Sequence, residues 1–254
     1  MTSPVIEIEG VRVLFGETCA LDIDALAIGP SERVFILGRS GSGKTTLARV
    51  IKGRLRPSAG RARVHGADPA VSDSQARRAI QRRVAMIDQE FFLVPRLNVI
   101  DNVLHGCLGR VPPLQSLFGW YPPAEWEKAE SILDEVELQG FGRRRVERLS
   151  GGQRQRAAIA RALMQEADVI LADEPVSNLD PELAEDALEL LVACTRRRGV
   201  TLAVNLHQPS LARRFATRIL GLADGRLAYD GPPEKFDEAA AAFLYTGVAA
   251  AGPA

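Results

Sequence analysis

Lysine is nearly missing from this 254-residue chain: four of its 32 basic side chains are Lys44, Lys52, Lys128 and Lys235, and the other 28 are arginine. Net charge is missing altogether, because 32 acidic residues cancel the basic ones. That balance excludes a protein whose main task is to grip nucleic acid, which calls for a net basic surface. Cysteine is sparse and odd in number. Cys19, Cys107 and Cys194 are too far apart for a CxxC metal site or a disulfide framework, which fits a reducing compartment. No run of 18 uncharged apolar residues exists, so no membrane span is expected. The opening MTSPVIEIEG carries charge where a secretory leader needs an apolar core, so no leader is expected either. What remains is 46% hydrophobic and 25% charged residues, an ordinary soluble composition. At roughly 100–200 residues per domain, the length suits one large domain or two small ones.

The first thirty residues read as short β segments (Val5, Ile6, Ile8, then Val11, Val13, Leu14) punctuated by Gly10, Gly16 and Gly29-Pro30. Arg33–Leu37 is a compact apolar run ending in glycine, as a buried parallel strand would be. A helical pattern runs from Thr45 to about Lys52. Apolar runs at Val84–Ile87, Val169–Ala172, Val200–Leu206 and Arg218–Leu222 alternate with helical stretches, predicting a parallel α/β sheet. From about Phe91 to Gly142 the chain turns helical and proline-rich (Pro112, Pro113, Pro122, Pro123), which suggests an inserted helical subdomain. The last residues, Val248–Ala254, are small and read as a frayed tail.

Gly38-Arg39-Ser40-Gly41-Ser42-Gly43-Lys44-Thr45 satisfies GxxxxGK[ST] between a predicted strand and a predicted helix, the context that motif requires. Glycines let successive N–H groups converge on one phosphate, and a helix N-terminus adds partial positive charge. Lys44 is placed to reach the β- and γ-phosphates, Thr45 to ligate Mg²⁺, and Thr46 extends the cradle. The expectation is a nucleoside triphosphate site. Val169–Ala172 ends in Asp173-Glu174. A strand end beside that loop would let Asp173 hold Mg²⁺ and Glu174 polarise an attacking water as general base.

Leu149-Ser150-Gly151-Gly152-Gln153, continued by Arg154 to Leu163, resembles the signature of ABC-type ATPases. Ser150 and two glycines opening a helix offer a hydroxyl, N–H groups and a helix dipole to an anion. Glycine in a first helical turn is costly without such a purpose. The resemblance covers the chain to about residue 245. It implies a RecA-like P-loop ATPase core, an N-terminal antiparallel β subdomain and a helical subdomain at about 91–165, followed by a short flexible tail at 246–254. It also implies ATP and Mg²⁺ as ligands. In that family the ATP is sandwiched between two such chains, with Ser150, Gly151, Gly152 and Gln153 of one facing the γ-phosphate held by the other. Gln89 matches the glutamine that senses Mg²⁺ and the attacking water. Ser177-Asn178-Leu179-Asp180 matches the loop crossing the dimer interface, and His207 the histidine at the γ-phosphate. Phe15 is the candidate aromatic for stacking on adenine.

The insert (Phe91–Val94, Asn98-Val99, Asn102–Leu104, Leu108–Pro112, Ser116–Gly119) looks like that of phosphonate importer ATPases, as do Asp173–Val176 and Leu206–Gln208. The implied assembly is a homodimer on the cytoplasmic face of the bacterial inner membrane. It would drive two transmembrane permease subunits served by an external solute-binding protein, with no nucleic acid involved. Three departures stand out: Ser31 for the usual glycine before Glu32, Asn178 for the commoner alanine or serine, and Arg39 inside the phosphate loop, expected to face solvent. An ABC-like ATPase or nucleotide-binding scaffold of a soluble or carbon–phosphorus-cleaving complex, not involved in transport, is the alternative. Arginine clusters at 77–78, 82–83, 143–145, 196–198 and 213–214 lack interleaved aromatics and read as solvated faces paired with acids such as Glu182, Glu185, Asp186 and Glu189. His65, His105, Trp120 and Trp126 have no partner pattern and read as structural.

Overall fold

The computed structural model describes residues 3–70, 74–177 and 179–246. Asn178, Met1-Thr2 and the tail positions 247–254 lie outside the described residues. Two sheets carry the fold. β1 (Ile6–Phe15), β2 (Thr18–Ile28) and β4 (Ala59–Val64) form an antiparallel sheet in the order β2-β1-β4. Sequence punctuation divided the first of these at Gly10, yet β1 runs through it. Gly10 takes φ 58 and its carbonyl lies where a Cβ on Gly60 would fall, at 2.1 Å, so the pair forms an irregularity in the ladder and not a strand end.

The second sheet has the order β5-β6-β7-β3-β8-β9, built from β3 (Arg33–Leu37), β5 (Val84–Ile87), β6 (Val169–Asp173), β7 (Thr201–Leu206), β8 (Arg218–Ala223) and β9 (Arg226–Gly231). Its first five strands are parallel, and β9 returns antiparallel to β8. That last strand was not anticipated. Its signal is Asp224-Gly225, both at positive φ, the dipeptide that suits a two-residue hairpin turn.

Alternation along β3 divides the interior. Val34 and Ile36 pack with α1 (Lys44–Ile51) and the antiparallel sheet, whereas Phe35 and Leu37 join the helical side. α2 (Ser74–Arg83) precedes β5. Between β5 and β6 every described helix or strand is helical: α3 (Val99–Leu104), α4 (Pro113–Leu117), α5 (Pro123–Glu135) and α6 (Gly151–Met164). α7 (Pro181–Arg197), α8 (Pro209–Phe215) and α9 (Glu238–Thr246) complete the order. Among the described residues no helix is long and apolar enough to cross a membrane.

Ser31 takes φ 59, the conformation the replaced glycine would supply. Its hydroxyl donates to Gly199 O and its N–H to Thr201 Oγ1, both at 2.9 Å, which offsets the strain. The arginine clusters find acids in part as expected. Arg214 pairs with Glu185 and, at 3.7 Å, with Glu189, while Arg197 and Arg198 converge on Glu135 of α5. Trp126 packs edge-on against Tyr121, but Trp120 is 69% exposed, so a core role does not describe it.

Candidate functional site

Gly38 follows β3, and the loop closes at Lys44, the first residue of α1. Gly38, Gly41 and Gly43 all take positive φ. A Cβ on Gly43 would lie 2.7 Å from Ala20 O, and one on Gly38 2.3 Å from Leu222 O, so both positions require glycine. Around Gly41 nothing lies within 4 Å of an added Cβ, which leaves that part of the loop open. Ser40 and Arg39 are exposed, Arg39 as expected, and Thr46 is half-buried on the first turn of α1. The buried Ser42 Oγ has no hydrogen-bond partner. A buried hydroxyl without a partner beside open N–H groups fits an incoming anion. Lys44 is 4% exposed, and its Nζ donates to Gly38 O (2.9 Å) and Arg39 O (3.0 Å). Burial lowers its pKa, while Glu174 and Asp173 oppose that shift.

Asp173 ends β6 opposite Asn205 of β7. Its Oδ1 accepts from Thr45 Oγ1 at 3.2 Å and from the buried Asn205 Nδ2 at 2.7 Å. A hydroxyl and a carboxylate side by side form a hard oxygen donor set, which suits Mg²⁺ shared with phosphate oxygens. Glu174 takes φ 50, a costly backbone for a non-glycine residue, and its N–H donates to Asn205 O. The turn aims Glu174 at His207, whose Nε2 lies 2.5 Å from Glu174 Oε1 and whose Nδ1 lies 3.1 Å from Gly38 O. Both ring nitrogens face acceptors. The ring is therefore oriented by oxygens on both sides, Gly38 O at Nδ1 and Glu174 Oε1 at Nε2.

The remaining predicted residues stand apart from this cluster. Ser150 caps α6, accepting from Gln153 N–H at 3.3 Å, while Gln153 Oε1 accepts from Ser150 N–H at 3.1 Å. Added Cβ atoms at Gly151 and Gly152 would meet only ordinary contacts, at 3.4 and 3.9 Å, so no packing within the chain demands these glycines. Among the described residues no hydrogen bond joins this segment to the loop 38–46. Gln89 is exposed and lines, with Gly151, Arg154 and Leu179, a cleft of about 320 Å³ at the start of α6. Among the described residues no hydrogen bond joins it to Thr45 or Asp173, whose side-chain partners are each other and Asn205. Asp180 caps α7, accepting from Leu183 N–H at 3.0 Å. Phe15 is 54% exposed at the β1–β2 turn, outside the core.

Sequence reading missed two supporting residues. Asn205 bears on Asp173 from the neighbouring strand. Arg161, on α6, donates to the carbonyls of Phe91 (2.5 Å) and Phe92 (2.7 Å), both at positive φ, and so pins the loop after Gln89. Arg161 lies within the quoted signature run, but neither its contact nor that of Asn205 shows in motif spacing, because both act across elements distant in sequence.

The sequence profile of ABC transporters matches residues 21–177. The chain belongs to the ABC transporter family. This cassette is an ABC-type ATPase in a RecA-like fold. It is similar to the phosphonates import ATP-binding protein PhnC 2 of Rhodopseudomonas palustris BisA53, with 40% identity over 238 residues, 94% of this chain and 88% of that protein. It is also similar to phosphonates import ATP-binding protein PhnC 1 of Natronomonas pharaonis, with 43% identity covering 92% and 96%. Among solved structures, the ATP-binding cassette MJ0796, dimeric and bound to ADP and Pi in a post-hydrolysis state, superposes with a TM-score of 0.76. It has 31% identity and covers 90% of this cassette and 98% of that chain.

Proposed function

We propose that this cassette binds ATP with Mg²⁺ at the loop 38–46 and hydrolyses it as a homodimer on the cytoplasmic face of the cell membrane. Hydrolysis drives uptake of a phosphonate or a related phosphorus oxyanion through two permease subunits supplied by an external binding protein. The observation that carries the reading is the convergence of Lys44 and His207 on one carbonyl, Gly38 O, with Glu174 bonded to the same histidine. The similarity to phosphonates import proteins supports the solute class.

Lys44, already held over the loop by two carbonyls, exchanges them for phosphate oxygens without a large side-chain move. Thr45 and Asp173, the latter fixed by Asn205, would hold Mg²⁺ together with Gln89, and the ion would supply positive charge against the phosphates. Glu174 would accept the proton of the attacking water as general base. His207 then meets the γ-phosphate. Ser150, Gly151, Gly152 and Gln153 of the opposite chain complete the cage, with Asp180 at the interface and Phe15 against the adenine ring. The two glycines that internal packing does not require fit that role.

Glu174→Gln keeps the shape and removes the base. It should lower the hydrolysis rate by about 100-fold or more while ATP still binds and a dimer accumulates. Vesicles carrying the cassette with its permease and binding protein should lose methylphosphonate uptake with the same substitution. Retained turnover would overturn the role of Glu174, and hydrolysis without any uptake would favour the soluble scaffold instead.

A further inference from the structure

The C-terminal helix α9 is an alanine-rich segment with one hydroxyl-bearing aromatic, Tyr245. A half-buried phenol seeks a polar partner, and Tyr245 finds an informative one: its Oη donates to the main-chain carbonyl of His207 at 2.9 Å. Burial raises the Tyr245 pKa, and the Gly38 main chain opposes that shift. Gly38 and His207 are the two ends of the contact that holds the histidine ring at the phosphate loop.

The helix is seated for this. Leu244, 2% exposed, presses its two δ-carbons to 2.7 and 2.8 Å from where a Cβ of Gly221 would be. Gly221 lies on β8 beside Leu37 of β3, the residue before Gly38. A glycine in that strand lets α9 approach closely enough for the next residue, Tyr245, to reach the loop.

We infer that Tyr245 is a positioning residue of the hydrolytic site, fixing the His207 main chain so that its ring stays between Gly38 O and Glu174. The inference rests on the reading of Glu174 and His207 as hydrolytic groups. Its Tyr245→Phe test on the full chain removes one oxygen and keeps the packing. The rate at saturating ATP should fall about 3- to 10-fold, the size of one lost hydrogen bond, with KM for ATP unchanged and the melting temperature lowered by only about 2–4 °C. In a His207→Ala background the same change should cost nothing further. Amide exchange over residues 206–209, read by mass spectrometry without ATP, should quicken while that of α1 stays constant. An unaltered rate, equal losses with and without His207, or quickening spread over β8 and α9 with a fall in melting temperature well beyond about 4 °C would each overturn the inference. Should the wild-type chain hydrolyse no ATP, the proposed function fails on that ground, and the exchange result alone decides whether Tyr245 orders the His207 segment.

Discussion

At the end of β7, Asn205 donates to Asp173 from the adjacent strand at 2.7 Å, and its own side chain is buried. Removing that donor leaves Asp173 free to turn from Thr45. Asn205→Leu, which has the same branched shape but no donor, should raise the Mg²⁺ concentration for half-maximal hydrolysis about 10-fold, as loss of a ligand's supporting hydrogen bond commonly does. An unchanged Mg²⁺ dependence in titrations at fixed ATP would show that Asp173 needs no such support. The residues of the phosphate loop were legible in the sequence because their chemistry is local: glycines, a lysine and a threonine at fixed spacing within eight positions. Asn205 was not, since what places it beside Asp173 is the parallel register of β6 and β7, and an asparagine in an apolar run carries no mark of that pairing.

Between elements, the helical segment is tied to the sheet domain by ion pairs. Glu135 at the end of α5 accepts from Arg197 at 2.7 Å and from Arg198 at 2.6 Å. The two guanidiniums hold the Glu135 carboxyl down from its ordinary 4.5 to about 2. A depressed carboxylate pKa stabilises the folded state above about 4.5, and that contribution fades as pH falls toward 2. Glu135→Gln should therefore lower stability at pH 7 by about 1 kcal/mol, after allowance for solvent screening of a partly exposed pair. The gap between variant and wild type should close as pH falls below about 4.5. Urea unfolding at pH 7 and pH 3 checks both signs, and a constant gap would contradict the assignment. The sequence reading took Arg196–Arg198 for a solvated face. The tether escaped it because Glu135 lies 62 residues from Arg197. β3, β5 and β6, by contrast, were legible within a residue, since strands buried on both faces are short unbroken apolar runs.

Over the whole molecule, the arrangement fits the one-chain half of the site proposed above. The loop, Asp173, Glu174 and His207 gather at the ends of β3, β6 and β7, whereas Ser150 and its glycines open α6 with no hydrogen bond to them among the described residues. Two chains related by a two-fold axis would bring each loop to the other chain's α6. Net charge is silent on this, because in the proposed site the anion would be met by one buried lysine and main-chain amides and not by a basic surface. The most direct test mixes Lys44→Ala with Ser150→Arg chains, each inactive alone. Half of the randomly formed dimers then hold one intact site of two, so hydrolysis should recover to about a quarter of the wild-type rate. No recovery in verified mixed dimers would contradict a site shared between chains.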